Sequence, residues 1–131
     1  MLMPLVRYMI LCDDWNQEPD RQRRITIQGL LWNIVSIDEP AYPLFYREFC
    51  VFLALTAGRG SGRGRIVCIY ESTGEVIFTT RDRQIPFPQD PLSVVGVPFR
   101  IRDCSFPVAG LYSIQFWYND GLLEERPLRL R

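Results

Sequence analysis

Gly110-Leu111-Tyr112-Ser113-Ile114-Gln115-Phe116-Trp117-Tyr118-Asn119-Asp120-Gly121 is the stretch that decides the fold. Tyr112, Ile114, Phe116 and Tyr118 fall on one face, and Ser113, Gln115 and Trp117 on the other. Such two-residue alternation belongs to a strand with one buried side, because successive side chains of a strand point in opposite directions. Asn119-Asp120-Gly121 supplies a tight turn, since these residues tolerate positive φ. Leu122–Leu130 then pairs back as the second arm of a hairpin.

Working outward, Gly110-Leu111-Tyr112 resembles the tyrosine-bearing corner that precedes the penultimate strand of immunoglobulin-like sandwiches, where the hydroxyl reaches back to the backbone. Val97, Phe99 and Ile101 alternate with Pro98, Arg100 and Arg102 in another half-buried strand. The segment 76–80 pairs with 65–71 across Ser72-Thr73-Gly74. Phe49–Thr56 is apolar on both faces and predicts a central strand covered on both sides. Leu5–Cys12 and Arg24–Gln28 predict two more strands, the latter bending at Gly29 and running on through Leu31, Trp32, Ile34 and Val35. The segment 13–23 predicts a polar surface loop, and 42–46 a loop or single turn packed on the core. Gly58–Gly64 predicts a glycine-rich turn, and 82–93, with Pro86, Pro88 and Pro91, a long crossing connection. No helical periodicity is sustained. The expected architecture is all-β, an immunoglobulin-like antiparallel sandwich of about seven to nine strands, as one domain over residues 1–131.

Asp90-Pro91-Leu92-Ser93-Val94-Val95-Gly96-Val97-Pro98-Phe99-Arg100, continuing to Phe106 and then Gly110–Asp120, resembles a family of short bacterial proteins of unknown function. Arg7–Asp13 and the Thr73-Gly74 hairpin are similar to it as well. The resemblance implies a β-sandwich and no established activity. Its motifs are turns and core residues, so it carries no catalytic residues across.

Composition narrows the chemistry. The chain has 131 residues, 15 cationic and 15 anionic side chains, and no net charge, which excludes a globally basic nucleic-acid binder. Every cation is arginine, and histidine is absent. Missing His removes the usual proton shuttle and the commonest metal ligand, and missing Lys removes Schiff-base and Walker-type phosphate chemistry. Cys12, Cys50, Cys68 and Cys104 are widely spaced, so neither a zinc site nor any other cofactor is expected. The apolar N-terminal stretch is interrupted by Arg7 and followed by Asp13 and Asp14, unlike a signal peptide, and no run reaches membrane-spanning length. A cytoplasmic protein with reduced thiols is the expectation.

No catalytic constellation is present. Without His there is no ordinary triad, and no Gly-x-Ser-x-Gly elbow occurs. Asp13, Asp14, Asp103 and Asp120 flank strands and read as solvated strand ends rather than a Ca²⁺ loop. Cys104 follows Arg100 and Arg102, which would lower its pKa, though a buried structural cysteine is the better expectation. Two binding features stand out. Arg59, Arg63 and Arg65, in Gly58-Arg59-Gly60-Ser61-Gly62-Arg63-Gly64-Arg65, are the residue types that clamp a phosphate or nucleic-acid backbone. A solvated turn is the better expectation for them, because surface turns readily recruit Gly and Arg. Trp117, with Arg100 and Arg102 on an exposed face, would suit a protein partner or a homo-oligomer, because Trp and Arg are enriched at interface hot spots. The sequence thus favours a non-enzymatic binding or structural module, with anion or nucleic-acid binding as the alternative.

Overall fold

In a computed structural model describing residues 3–19 and 24–131, ten strands form two sheets, with no helix among the described residues. They are β1 (Leu5–Gln17), β2 (Ile25–Leu30), β3 (Asn33–Ile34), β4 (Leu44–Thr56), β5 (Ser61–Tyr70), β6 (Val76–Thr79), β7 (Arg83–Pro86), β8 (Val95–Phe106), β9 (Gly110–Tyr118) and β10 (Gly121–Leu130). The front sheet has the order β2-β1-β4-β8. The back sheet has the order β3-β10-β9-β5-β6, with β7 also pairing β5. All pairings are antiparallel except β3 with β10. This is an immunoglobulin-like all-β sandwich. Among the described residues no helix is long and apolar enough to cross a membrane.

The core is the sum of the inward faces that alternation dictates. The front sheet contributes Phe49, Val51, Leu53 and Leu55 from β4 and Val97, Phe99 and Ile101 from β8. Tyr112, Ile114, Phe116 and Tyr118 of β9 meet them from the back sheet, all buried. The corner forms as the sequence implies: the Tyr112 hydroxyl donates to the Val108 carbonyl at 2.7 Å. Asn119 and Asp120 both adopt positive φ, 47° and 67°, which gives the β9–β10 turn the twist that hairpin strands require.

Five segments differ from the sequence reading, the first being the run from Arg24 to Val35, which divides into β2 of the front sheet and β3 of the back sheet. Residues 13–17 are not loop but the continuation of β1, hydrogen-bonded to β2 (Asp14↔Gln28, Asn16↔Thr26). Residues 20–23 of that segment lie outside the described residues. Leu44–Tyr46 begin β4 opposite Phe106–Cys104, rather than forming a loop. The connection over 82–93 contains β7, which pairs Arg83–Pro86 with β5. The glycine-rich turn is mostly β5. Its alternate glycines point inward, where a Cβ on Gly62 would lie 1.9 Å from Tyr118 Oη and one on Gly64 2.6 Å from Ile85 Cδ1. Glycine here makes room for large side chains rather than reversing the chain.

Asp103 has φ 54° inside β8. The facing slips by one residue there, so that Ile101 and Cys104, three apart, are both buried. The neighbouring strand slips at the same level, with Leu44 buried before it and Phe49 after it. Such kinks are typical of edge strands.

Candidate functional site

β1 pairs β4 only as far as Cys12, which lies opposite Cys50. Beyond that point β1 pairs with β2 alone, in the register Trp15↔Ile27 and Gln17↔Ile25. Gly29, at φ 67°, allows the hairpin to fold back close to Asp13; a Cβ there would sit 2.4 Å from Asp13 Oδ2. The hairpin thereby brings Trp15 onto the outer face of the front sheet, with its ring centroid 5.4 Å from that of Phe52. Cys12, Cys50 and Phe52 are buried beneath it, with Ile10, Trp15 and Ile27 packed around them. This second cluster explains why β4 is apolar on both faces: one face meets the main core, and the hairpin covers part of the other.

Between the hairpin and β8 the outer face is hollowed into an open groove of about 690 Å³. Tyr8, Ile10, Trp15, Phe52 and Ile25 form its walls, and Ala54 and Gly96 provide small residues along it. Among the described residues, none that lines it carries a formal charge; Gln17 is a polar member at the hairpin side. The Trp15 indole N–H is buried without a hydrogen-bond acceptor. Just beyond the groove, Arg100 pairs with Asp14 at 2.9 Å, and Arg102 with Glu48 at 3.0 Å. The Trp15 backbone N–H, and then Arg100, hold the Asp14 carboxyl below its ordinary pKa.

The thiols are inert by environment. All four cysteines are free and buried. Burial pushes Cys50 up to about 12, with Cys12 beside it as a smaller cause. Burial likewise pushes Cys104 up to about 12, so the nearby arginines do not activate it. Among the described residues no group of His, Cys, Asp and Glu is arranged to hold a metal ion. Asp14 and Asp120 are separated onto different sheets, each engaged with arginine.

The structure places the sequence-derived residues in three locations. Arg59 is exposed between β4 and β5. Arg63 and Arg65 lie on the outward side of β5 and share two carboxylates: Asp120 at 3.3 Å from each, and Asp82 at 3.8 and 3.9 Å. Arg65 also lies over the Trp117 ring, 5.3 Å from its centroid, while the Trp117 Nε1–H donates to Gln115 Oε1 at 2.9 Å. Arg100 and Arg102 belong to β8 in the front sheet, and Trp117 to β9 in the back sheet. They therefore do not share the face the sequence reading gave them. Trp117 joins Arg65 instead.

A different exposed strip was not singled out from sequence. Leu30, Trp32, Val35 and Ile37 are exposed at 61, 63, 61 and 95 %. The segment 32–36 is held to the C-terminal end of the chain: the Arg129 N–H donates to the Trp32 carbonyl at 2.9 Å, the Arg131 N–H to the Ile34 carbonyl at 2.9 Å, and the Ser36 N–H to the Arg131 carbonyl at 3.3 Å. Both sheets end on this side, the front at β2 and the back at β3.

A family model described as a family of unknown function, DUF6941, matches residues 7–131. The chain belongs to that family. No curated protein matches it. Among solved structures, the Pseudomonas fluorescens alkylpurine DNA glycosylase AlkC, bound to DNA containing an abasic site analogue, is similar at 10% identity with a TM-score of 0.55. The match covers 98% of this chain, which spans 30% of the glycosylase chain. An immunoglobulin-like protein from Pseudomonas aeruginosa is similar at 14% identity, with a TM-score of 0.44, covering 92% of this chain and 96% of that one. The description of DUF6941 assigns its members no function.

Proposed function

We propose that this DUF6941 chain is a non-catalytic binding module that associates with a second copy of itself through the strip Leu30–Ile37. The carrying observation is that Trp32 and Val35 are exposed on a segment that Trp32, Ile34 and Ser36 tie to β10 by backbone hydrogen bonds, with exposed Ile37 next to it. Ordering costs little when the contact surface is rigid beforehand, and Trp is a favoured anchor at interface centres. The absence of net charge removes long-range repulsion between copies. Light scattering behind size exclusion, at tens of micromolar, tests it. A dimer that becomes monomeric in a Trp32→Asp, Ile37→Asp variant supports the reading; a strict monomer in the parent chain overturns it.

The alternative is anion or nucleic-acid backbone binding through Arg59, Arg63 and Arg65. It draws support from the fold shared with a DNA-bound glycosylase. Against it, Asp82 and Asp120 already neutralise Arg63 and Arg65. A mobility shift in low salt that disappears when all three arginines become alanine would favour it, because phosphate contacts weaken as salt rises.

A further inference from the structure

We propose that two copies join rim to rim, β3 against β3 in antiparallel register about Val35, so that the back sheet runs unbroken through the dimer. The inference rests on the self-association proposed above and adds to it the backbone that carries the contact. β3 is the last strand of the back sheet, and among the described residues it pairs with β10 alone. The ladder to β10 uses the Trp32 and Ile34 carbonyls and the Ser36 N–H. Backbone directions alternate along a strand, so Asn33 and Val35 turn their N–H and C=O groups outward, away from β10. Such a row is a template for another strand.

The residues of the rim select a second copy as that strand. Thirteen consecutive residues, Ile25–Ile37, contain neither a charge nor a proline. Charges and prolines are common means by which a rim discourages pairing, and neither interrupts this one. The side chains of Asn33, Val35 and Ile37 are exposed, so no described element has to move aside. β2 reaches the rim at Leu30, and Ile25 stands at its far end, about 17 Å away for an extended strand. Residues 20–23, outside the described set, join the chain at that far end.

Asp38 and Glu39, which follow directly, set the orientation. Parallel pairing would place the acidic pairs of the two copies side by side. Antiparallel pairing about Val35 sets Val35 opposite Val35 and Asn33 opposite Ile37. Asp38 then falls opposite Trp32 of the second copy, roughly 20 Å along the strand from that copy's own Asp38. This exceeds the screening length at physiological salt. At the receiving end stands exposed Arg129, which pairs with Asn33 on β10, one strand behind the rim. Each acidic pair is thus carried away from its like and towards an arginine. The arrangement is closed by a two-fold axis, so it stops at two copies.

The test uses the full chain. Val35→Pro removes the outward amide and leaves the bonds to β10 in place, whereas Val35→Thr keeps the amide and the branched side chain. Sedimentation equilibrium should show the proline variant dimerising at least about tenfold more weakly than the parent, from two lost hydrogen bonds across the axis, and the threonine variant within about threefold. Thermal melts verify that both variants fold. Amide hydrogen exchange, read residue by residue by NMR, compares the parent dimer with the Trp32→Asp, Ile37→Asp variant. The Asn33 and Val35 amides should exchange at least about tenfold more slowly in the dimer, while the Ser36 amide, bonded to Arg131, should be slow in both.

A strict monomer in the parent chain overturns both this pairing and the self-association beneath it. A dimer in which a folded Val35→Pro chain associates as tightly as the parent overturns the pairing alone. So does a dimer in which the Asn33 and Val35 amides exchange as fast as in the aspartate variant; the copies would then meet through side chains only.

Discussion

The Tyr112 hydroxyl donates to the Val108 carbonyl at 2.7 Å and receives the Val108 N–H at 3.4 Å, tying the residue two before β9 to the third residue of that strand. Both contacts are made by one buried oxygen, so removing it leaves two backbone groups to find other partners. Tyr112→Phe should therefore destabilise the fold by about 0.5–1.5 kcal/mol with the rest of the packing intact. Urea denaturation measures it. An unchanged midpoint would mean that the corner hydroxyl contributes nothing beyond its ring.

Gly62 and Arg63 are neighbours with opposite roles, and substitution should separate them. A methyl group on Gly62 would meet Tyr118 Oη and Cζ at 1.9 and 2.0 Å. Gly62→Ala should then cost about 1–3 kcal/mol through overpacking. Arg63, paired at the surface with Asp120 and Asp82, should lose less than about 1 kcal/mol on replacement by Ala. Equal effects in thermal unfolding would contradict the packing account of the glycines.

Alkaline pH should destabilise the protein through groups whose native pKa is raised. Burial pushes Cys50 and Cys104 from 9.0 up to about 12, and Tyr46 from 10.0 to about 12, the latter also by its hydrogen bond to Asp13. The native state then holds protons that the unfolded state releases above about pH 9. Their stabilising contribution is complete below that pH and is lost as pH climbs towards 12. Melting temperatures measured from pH 8 upward should fall, and Cys50→Ala should make the fall shallower. An aromatic thiol reagent at pH 8 should label the native chain slowly and all four cysteines quickly in denaturant.

Asp103 sits at φ 54°, a conformation that glycine adopts more easily than residues with a Cβ. Asp103→Gly should be neutral or stabilising by up to about 1 kcal/mol, and Asp103→Val destabilising by more than that, since a β-branched side chain is strained there. Chemical denaturation of the pair checks the order.

Local patterns were the legible part of the fold. The alternation in 112–118, the Asn119–Gly121 turn and the Val97, Phe99, Ile101 face can each be read within about ten residues, because each is set by neighbours along the strand. Gly62 and Gly64 misled because glycine serves both turns and close packing. Which of the two applies depends on Tyr118, Phe116 and Ile85, all distant in sequence. The extension of β1 was hidden by Asp13, Asp14, Asn16 and Gln17, whose polarity resembles a loop while their backbone pairs with β2. The groove was missed with it, although two signals pointed there. Phe49–Thr56 needs cover on both faces, and Trp15 is a large apolar residue in an apparently polar segment. The pairing of Arg65 with Trp117 rather than Arg100 with Trp117 required the strand order, which alternation alone does not contain.

The kink at Asp103 has a bearing on how this chain behaves in a crowd. β8 ends the front sheet, so twelve residues of strand present an unpaired rim to any other chain. A flat rim of that length is a template for fibril growth. Here Pro98 withholds one amide, Arg83 occupies the Pro98 carbonyl, and the reversal at Asp103 puts the two halves of the strand out of phase. An incoming strand would have to change facing at the same level, as β4 does, to follow both halves. The residue that looks most strained in β8 thus belongs with Pro98 among the irregularities that blunt an exposed edge against strand addition.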